Sequence, residues 1–275
     1  MKNLLHNIQI LTMLAFIMAG MISCSGELED MGEVQVGFTA TLPTDTHTRS
    51  FGKAEQVNTL VVGVFSNGHE VDRQSFPING TSADVSLSLA KDQTYSFVFW
   101  AYDSSQDIYD IDDLTAITMN DLSDPITFAQ AESADAFFAT KEDVVITGNC
   151  SYRVVLVRPL AQINVGTTLT PMQAVFTAKA APDTFHPFTG TVSGSRDYTW
   201  NFSATTTETF LAGGTEYKYL AMGYVFAPTT LTRISAELTL TEGNTSKTMQ
   251  FPQVEIVANQ RSNIAGNFTA TIHNN

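Results

Sequence analysis

Two cysteines, Cys24 and Cys150, are all that the 275 residues contain. If Cys24 is spent elsewhere, Cys150 has no partner and an apolar core must hold the body together. Cys150 follows Gly148-Asn149 beside a strand-like run and reads as a buried or half-buried inert thiol. Positive charge is scarce too: 14 Lys and Arg face 28 Asp and Glu, for a formal net charge of −14. Phosphate contacts need clustered Lys and Arg, so nucleic acid is excluded as a partner. Beyond Ile22 no apolar run approaches the roughly 20 residues of a membrane-spanning helix.

Catalytic and metal motifs are also missing. The histidines stand apart at positions 6, 47, 69, 186 and 273. There is no His-Glu-x-x-His, no Cys-x-x-Cys and no glycine-rich phosphate loop. Gly190-Thr191-Val192-Ser193-Gly194 sets its serine one position too late for a nucleophile elbow. The chain therefore reads as no enzyme, with no cofactor and no metal. One acidic segment stays open, since Asp103, Asp107, Asp110, Asp112 and Asp113 crowd together and loops rich in Asp can hold calcium. The EF-hand pattern fails there: Ile108 follows Asp107 where glycine is needed, and Leu114 takes the twelfth position. A solvated acidic loop is the plainer reading. Trp100 and Tyr102 beside it could stack on a sugar, or belong to a core.

What is present begins at the N-terminus. Lys2 precedes an apolar run from Ile8 to Ile22, the length of a signal-peptide core. Met21-Ile22-Ser23-Cys24 closes it and resembles a bacterial lipobox. The resemblance implies cleavage before Cys24 and acylation of that cysteine, with residues 24–33 as an acidic tether. More than one acyl chain makes such anchoring stable.

The body reads as strands. Val34, Val36, Phe38, Ala40 and Leu42 alternate with polar residues and glycine. Val85, Leu87 and Leu89 do the same, as do Ile234, Ala236, Leu238 and Leu240. Such period-two patterns place one face on a core and the other in water. Leu60–Phe65, Phe97–Tyr102, Tyr152–Val157 and Tyr219–Phe226 are apolar on both faces and suit central strands. Turns fall at Asn67-Gly68, Asn79-Gly80, Gly213-Gly214 and Gly243-Asn244. Two short helices are expected around Asp113–Leu122 and Pro171–Ala178. Proline disfavours a central strand, so Arg158-Pro159 marks the expected division between an N-terminal sandwich, 34–157, and a C-terminal one, 158–275. No internal repeat is visible along the chain.

Several segments in order resemble the fimbrillin-type lipoproteins of Bacteroidales, the subunits and relatives of type V pili. They are the lipobox with its tether, and Val34–Leu42 followed by Thr46-His47-Thr48-Arg49. Next come Tyr95–Ala101 and Asp135–Ala139, then Arg158–Val165, Tyr219–Pro228 and Asn259–Phe268. The resemblance implies an all-β fold of two transthyretin-like antiparallel β-sandwich domains in tandem. It implies a surface protein of the outer membrane or fimbrium, with other fimbrial subunits and a host or bacterial surface ligand as partners. In polymerising members a trypsin-like protease cuts after an arginine beyond the first strand. The strand leaves, and a strand of the next subunit fills the groove by β-augmentation.

On this chain Arg49 is the matching arginine and Val34–Leu42 the strand released. The resemblance draws the incoming strand from the C-terminus, where Phe268, Ala270 and Ile272 alternate with polar residues. Few residues follow Ile272, which leans toward an anchor or terminal position rather than a stalk. The leading expectation is thus a structural and adhesive fimbrial subunit or anchor. The alternative is a surface lipoprotein of sandwich build that captures a glycan or other ligand, which a cluster of exposed aromatics around Trp100, Tyr198 or Trp200 would favour.

Overall fold

A computed structural model describes residues 32–43, 54–120, 126–203 and 205–270. Its first half runs through β1 (Glu33–Thr41), β2 (Thr59–Ser66), β3 (His69–Pro77), β4 (Ser82–Ala90) and β5 (Gln93–Tyr102). The short β6 (Tyr109–Asp110), β7 (Ile117–Met119) and α1 (Phe128–Glu132) follow, then β8 (Phe137–Ile146) and β9 (Cys150–Val155). The second half runs through β10 (Leu160–Thr167), β11 (Gln173–Ala181), β12 (Thr184–His186), β13 (Thr191–Ser193) and β14 (Arg196–Phe202). It ends with β15 (Thr209–Ala212), β16 (Thr215–Phe226), β17 (Thr232–Glu242), β18 (Thr245–Ile256) and β19 (Arg261–Gly266).

Four sheets make two sandwiches, and a fifth, smaller sheet stands beside them. The first sandwich sets β4-β1-β9 against β3-β2-β5-β8; the second sets β15-β16-β10-β19 against β14-β11-β17-β18. The small sheet β13-β12-β7-β6 joins strands from both halves. Once β6, β7, β12, β13 and β15 are set aside, the two sandwiches share one topology. In each, the first strand sits centrally, antiparallel to one neighbour and parallel to the last strand: β1 between β4 and β9, β10 between β16 and β19. This repeat left no trace visible in the residues, because side-chain identity is free to drift while inward–outward phase and pairing order are kept. The sheets are accordingly not purely antiparallel; each sandwich carries one parallel pair.

Turn chemistry follows the sequence. Asn67 and Gly68 both take positive φ, 51° and 79°, and close the β2–β3 hairpin as a two-residue turn. The alternation read in β1, β4 and β17 is the observed burial pattern. β2 and β5 are buried on both faces for a specific reason. Leu60, Val62, Val64, Phe97 and Phe99 face the first core, while Val61, Phe65, Val98 and Trp100 join the core of the second half. Ile108, Leu114, Ile117, Ile126 and Ala136 belong to that second core as well, although they precede Arg158 in the chain. A close approach needs Gly223 on β16: a Cβ there would stand 2.4 Å from the Trp200 ring.

Three local expectations are corrected. Pro171–Ala178 is no helix but most of β11, whose Ala174, Phe176 and Ala178 alternate inward between β14 and β17. Its alanines suit a helix by propensity, and the two flanking strands overrule them. Of Asp113–Leu122, the described residues up to Asn120 are turns and β7, because the Asp113 side chain takes the Thr115 amide at 2.8 Å and so starts a turn instead of a helix. Among the described residues the helix that forms is α1, which lies further on and carries a capping box between Thr127 and Gln130. Tyr152–Val157 is not central: β9 is a sheet edge, and Val155 is 65% exposed.

Candidate functional site

The first strand and its seat form the site to which the sequence pointed. β1 is hydrogen-bonded along its length on one side to β4, from Glu33↔Ala90 to Thr41↔Ser82. On the other it pairs with β9, from Val36↔Cys150 to Thr41↔Val155. Val36, Phe38 and Ala40, with Leu42 just beyond the strand, are buried in the first core. Phe38 is the centre of that row. Its ring lies 4.8 Å from Phe97, 5.1 Å from Phe99 and 5.5 Å from Tyr152. On the outer face, Thr39 donates to Asp84 at 3.0 Å and Thr41 to the Val154 carbonyl at 3.4 Å.

β1 is thus a central strand held by two ladders, yet its covalent link to β2 is a connecting segment. Taken away, it would leave edges on β4 and β9 and a groove floored by Phe97, Phe99, Leu60 and Val62. Where β1 ends, Ala40, Leu42, Leu60, Ile78, Ala83 and Leu156 close around a gap too small to hold a water molecule. Cys24 and Arg49, the expected lipidation and cleavage residues, lie outside the described residues. Cys150 is half-buried at the start of β9.

The other sequence candidates resolve differently. Trp100, Tyr198 and Trp200 are all buried, with exposures of 0%, 1% and 1%, so no exposed aromatic platform exists at these residues. The ligand-capture reading thus lacks the feature that would have favoured it. The acidic segment is a hydrogen-bonded loop. Asp103 is itself buried and accepts from Asn58 at 2.7 Å and from Ser105 through its amide at 3.0 Å and its hydroxyl at 2.6 Å. Burial opposes the Asp103 charge, but hydrogen bonds from Ser105, Ser133 and Asn58 hold the carboxyl below its ordinary range. Asp110 and Asp113 bind amides two residues on, and Arg73 ties the loop down through the Ile111 and Asp112 carbonyls. Among the described residues no three His, Cys, Asp or Glu side chains stand together as metal ligands.

His186 touches two groups. Its Nδ1 stands 3.2 Å from the Thr115 carbonyl, which can only accept, so Nδ1 carries the proton. Nε2 then accepts from the Ser193 hydroxyl at 2.8 Å. The contact ties the β12–β13 hairpin to the acidic loop.

A feature missed in the sequence is a buried polar junction where the halves meet. Arg158 grips Asp135 with two bonds, 2.5 and 2.7 Å, and the pair is 5% and 1% exposed. Arg158 also donates to Asn259 at 3.1 Å and lies over the Phe137 ring at 4.6 Å. Beside it, Tyr224 donates to Glu132 at 3.2 Å, and Gln162 links both of them to Arg261. The signal lay in Arg158 and Asp135 themselves, charged residues inside apolar surroundings.

Glu132 gives this junction a pH dependence. Burial pushes its carboxyl above the ordinary range and the Asp135 charge adds to this, while Tyr224 and Arg261 pull it back and Glu208 adds a small push. The folded carboxyl therefore holds its proton more readily than the unfolded one. Its stabilising contribution is present at low pH and is lost as pH rises through the raised folded value. Glu132→Gln is expected to raise the melting temperature near neutral pH, with the gain fading toward about pH 4. Melting curves across that range would show it; a gain that did not depend on pH would mean the charge is not responsible.

Among the described residues no helix is long and apolar enough to cross a membrane. Solved structures with a similar fold include a candidate adhesin from Bacteroides thetaiotaomicron, 13% identical, with 80% of this chain and 81% of that one covered and a TM-score of 0.51. A fimbrial assembly protein from Parabacteroides distasonis is 14% identical over 88% of this chain and 93% of that one, with a TM-score of 0.49. The fimbrial anchor protein Mfa2 from Porphyromonas gingivalis is 14% identical over 76% and 78%, with a TM-score of 0.46. At these identities the likeness is one of fold, and the first of the three carries it. No curated protein matches the sequence. A family model spans residues 28–274, nearly the whole body that the two sandwiches occupy, and the chain belongs to that family, described as a family of unknown function (DUF6562).

Proposed function

We propose that the chain is a structural and adhesive subunit or anchor of a type V pilus-like fimbrium. Its precursor is held at the outer membrane by lipid on Cys24 and exposed at the cell surface. Residues 34–157 form the domain that exchanges its first strand, and 158–275 a second domain that stays closed. Cleavage after Arg49 frees β1 from β2, and a strand of another subunit takes its place. The partners are fimbrial subunits and a host or bacterial surface molecule; the role is structural rather than catalytic.

The observation that carries this reading is the seat of β1. A strand held by two ladders, with its large side chains in one row, is replaceable by any strand of matching pattern. The tandem-sandwich fold shared with a candidate adhesin fits the same setting. β10 occupies the equivalent place in the second half but is tethered at both ends, through Pro159 and through the chain leading to β11. Of these two central strands, β1 is the one that a cut after Arg49 parts from the strands that follow it.

Limited trypsin digestion with N-terminal mapping tests it. Selective cleavage after Arg49 is expected, followed by loss of the β1 segment under mild urea. The cut protein should then take up a labelled peptide of residues 33–43, while uncut protein refuses it. A resistant Arg49, or a cut protein that cannot rebind its own strand, would overturn strand exchange.

A further inference from the structure

The edge of a sheet invites a further strand, and proteins guard their edges with charge, proline, bulges or shortness. The long edge strands of this chain follow that rule with one exception. β3 carries Arg73, β8 Lys141, β14 Arg196, and β18 both Lys247 and Pro252. β9, β15 and β19 are short, at 6, 4 and 6 residues. The exception is β4, with 9 residues, Asp84 as its one charge, no proline, and a pairing with β1 that runs without a bulge. We propose that the outer edge of β4 docks β4 of a second copy of this chain, as a two-fold antiparallel pair centred on Ser86. The contact is separate from strand exchange, since β4 meets the second copy through the side that β1 leaves free.

The phase of the β1–β4 ladder shows what that side offers. Leu42 donates to the Thr81 carbonyl at 2.8 Å and Lys91 to the Gly32 carbonyl at 3.2 Å. Two residues on from each, and so along the ladder, Phe38 exchanges bonds with Val85 and Val36 with Leu87. The amides and carbonyls of Asp84, Ser86 and Ser88 therefore point away from β1. Among the described residues no strand pairs with them. The side chains beneath are already sealed, with Val85 and Leu87 at 4% and 0% exposure. The edge thus offers backbone hydrogen bonds rather than an apolar groove, and an extended strand is what fits it. In the second half the equivalent strand, β16, is covered: β15 pairs with its first residues, and α1 sets Phe128 5.8 Å from Tyr219.

A second β4 fits because the strand is complementary to itself about Ser86. Ser86 then meets Ser86, and Asp84 meets Ser88 on either side of the axis, so the outward backbone groups of all three residues find partners. This register keeps the two Asp84 carboxylates apart. One centred on Asp84 would set them face to face, and like charges directly opposite are destabilising. Val85 falls beside Leu87 in the inward row, and two three-stranded sheets become one continuous sheet. The formal net charge of −14 works against self-association, so the pair should tighten as salt screens it.

Sedimentation of the uncut protein across a range of concentrations, at low and high salt, tests this. A monomer–dimer equilibrium that moves toward dimer with added salt is expected. Ser86→Pro removes an amide that points away from β1, so it should leave the fold intact, as proline on an outer edge does, and weaken the dimer roughly tenfold or more. A second measurement does not depend on that variant. In a chain carrying Cys24→Ser and Cys150→Ser, Ser86→Cys should cross-link into a dimer on mild oxidation. Opposed residues of such a pair stand about 5.5 Å apart at Cα, within the reach of a disulfide. Ser151→Cys, on the edge strand β9, should not cross-link. A protein that stays monomeric at every concentration and salt, with Ser86→Cys left uncross-linked, would overturn the proposal. So would a dimer that survives Ser86→Pro and cross-links through Ser151→Cys, since its contact would lie on another edge.

Discussion

Phe38→Ala is expected to destabilise the first sandwich by about 3–5 kcal/mol, the usual loss when a buried phenylalanine is truncated in a close-packed core. Phe38 is 1% exposed, and three aromatic rings converge on it from β5 and β9. Those rings belong to strands fixed by their own ladders, so the cavity has little means of collapsing. Urea unfolding should show a lower midpoint with an unchanged slope. Gln35→Ala, on the outward face of the same strand, should change stability by no more than about 0.5 kcal/mol. The same truncation bears on function. If β1 leaves its seat before the ring contacts are replaced, the lost energy appears in the exit rate, and the cut protein should shed the variant strand about a hundredfold faster or more. An unchanged midpoint would mean that Phe38 does not hold β1; an unchanged exit rate with a lowered midpoint would mean that an incoming strand displaces β1 stepwise.

How far this site was legible in the sequence depends on which physical signal was local. Val34–Leu42 was readable as a strand because its inward row alternates strictly, and β1 covers it almost residue for residue. The Asn67-Gly68 hairpin was readable because only certain residues accept two positive φ values in succession. The place of β1 in its sheet was not readable. Parallel pairing with β9 joins residues more than a hundred positions apart, and no residue type announces it. The same holds for β9, whose apolar residues looked central but whose outer side has no neighbour in the sheet. Trp100 and Trp200 could be read as core or as a binding face, since an aromatic on a strand serves either, and only the packing of Phe185, Phe226 and Phe176 against them decides for core. The polar junction was missed because Asp135, Arg158 and Asn259 lie on three separate connections that only the tandem arrangement brings together.

That junction supplies the second large effect. Arg158→Met is expected to cost about 3–5 kcal/mol, because it leaves the Asp135 carboxylate buried without its partner. Burial already pushes that carboxyl upward, and the Arg158 hydrogen bond and charge are what pull it back. Asp135→Leu should be similarly damaging, since it strands a guanidinium that is 5% exposed. The double variant, Asp135→Leu with Arg158→Met, should recover most of the loss and come within about 1 kcal/mol of the natural protein, because removing both charges also removes their desolvation. Stability would then not be the reason for the pair, and a second measurement separates the alternatives. Phe138 and Val157 exchange both backbone hydrogen bonds at 2.8 Å beside the junction, where the first sandwich hands over to the second. If the ion pair fixes how the halves meet, these two amides should exchange with solvent about tenfold faster in the double variant even though global stability is restored. Unchanged exchange would make the pair a tolerated burial of charge. Faster exchange would make it the clamp that fixes how the two halves meet.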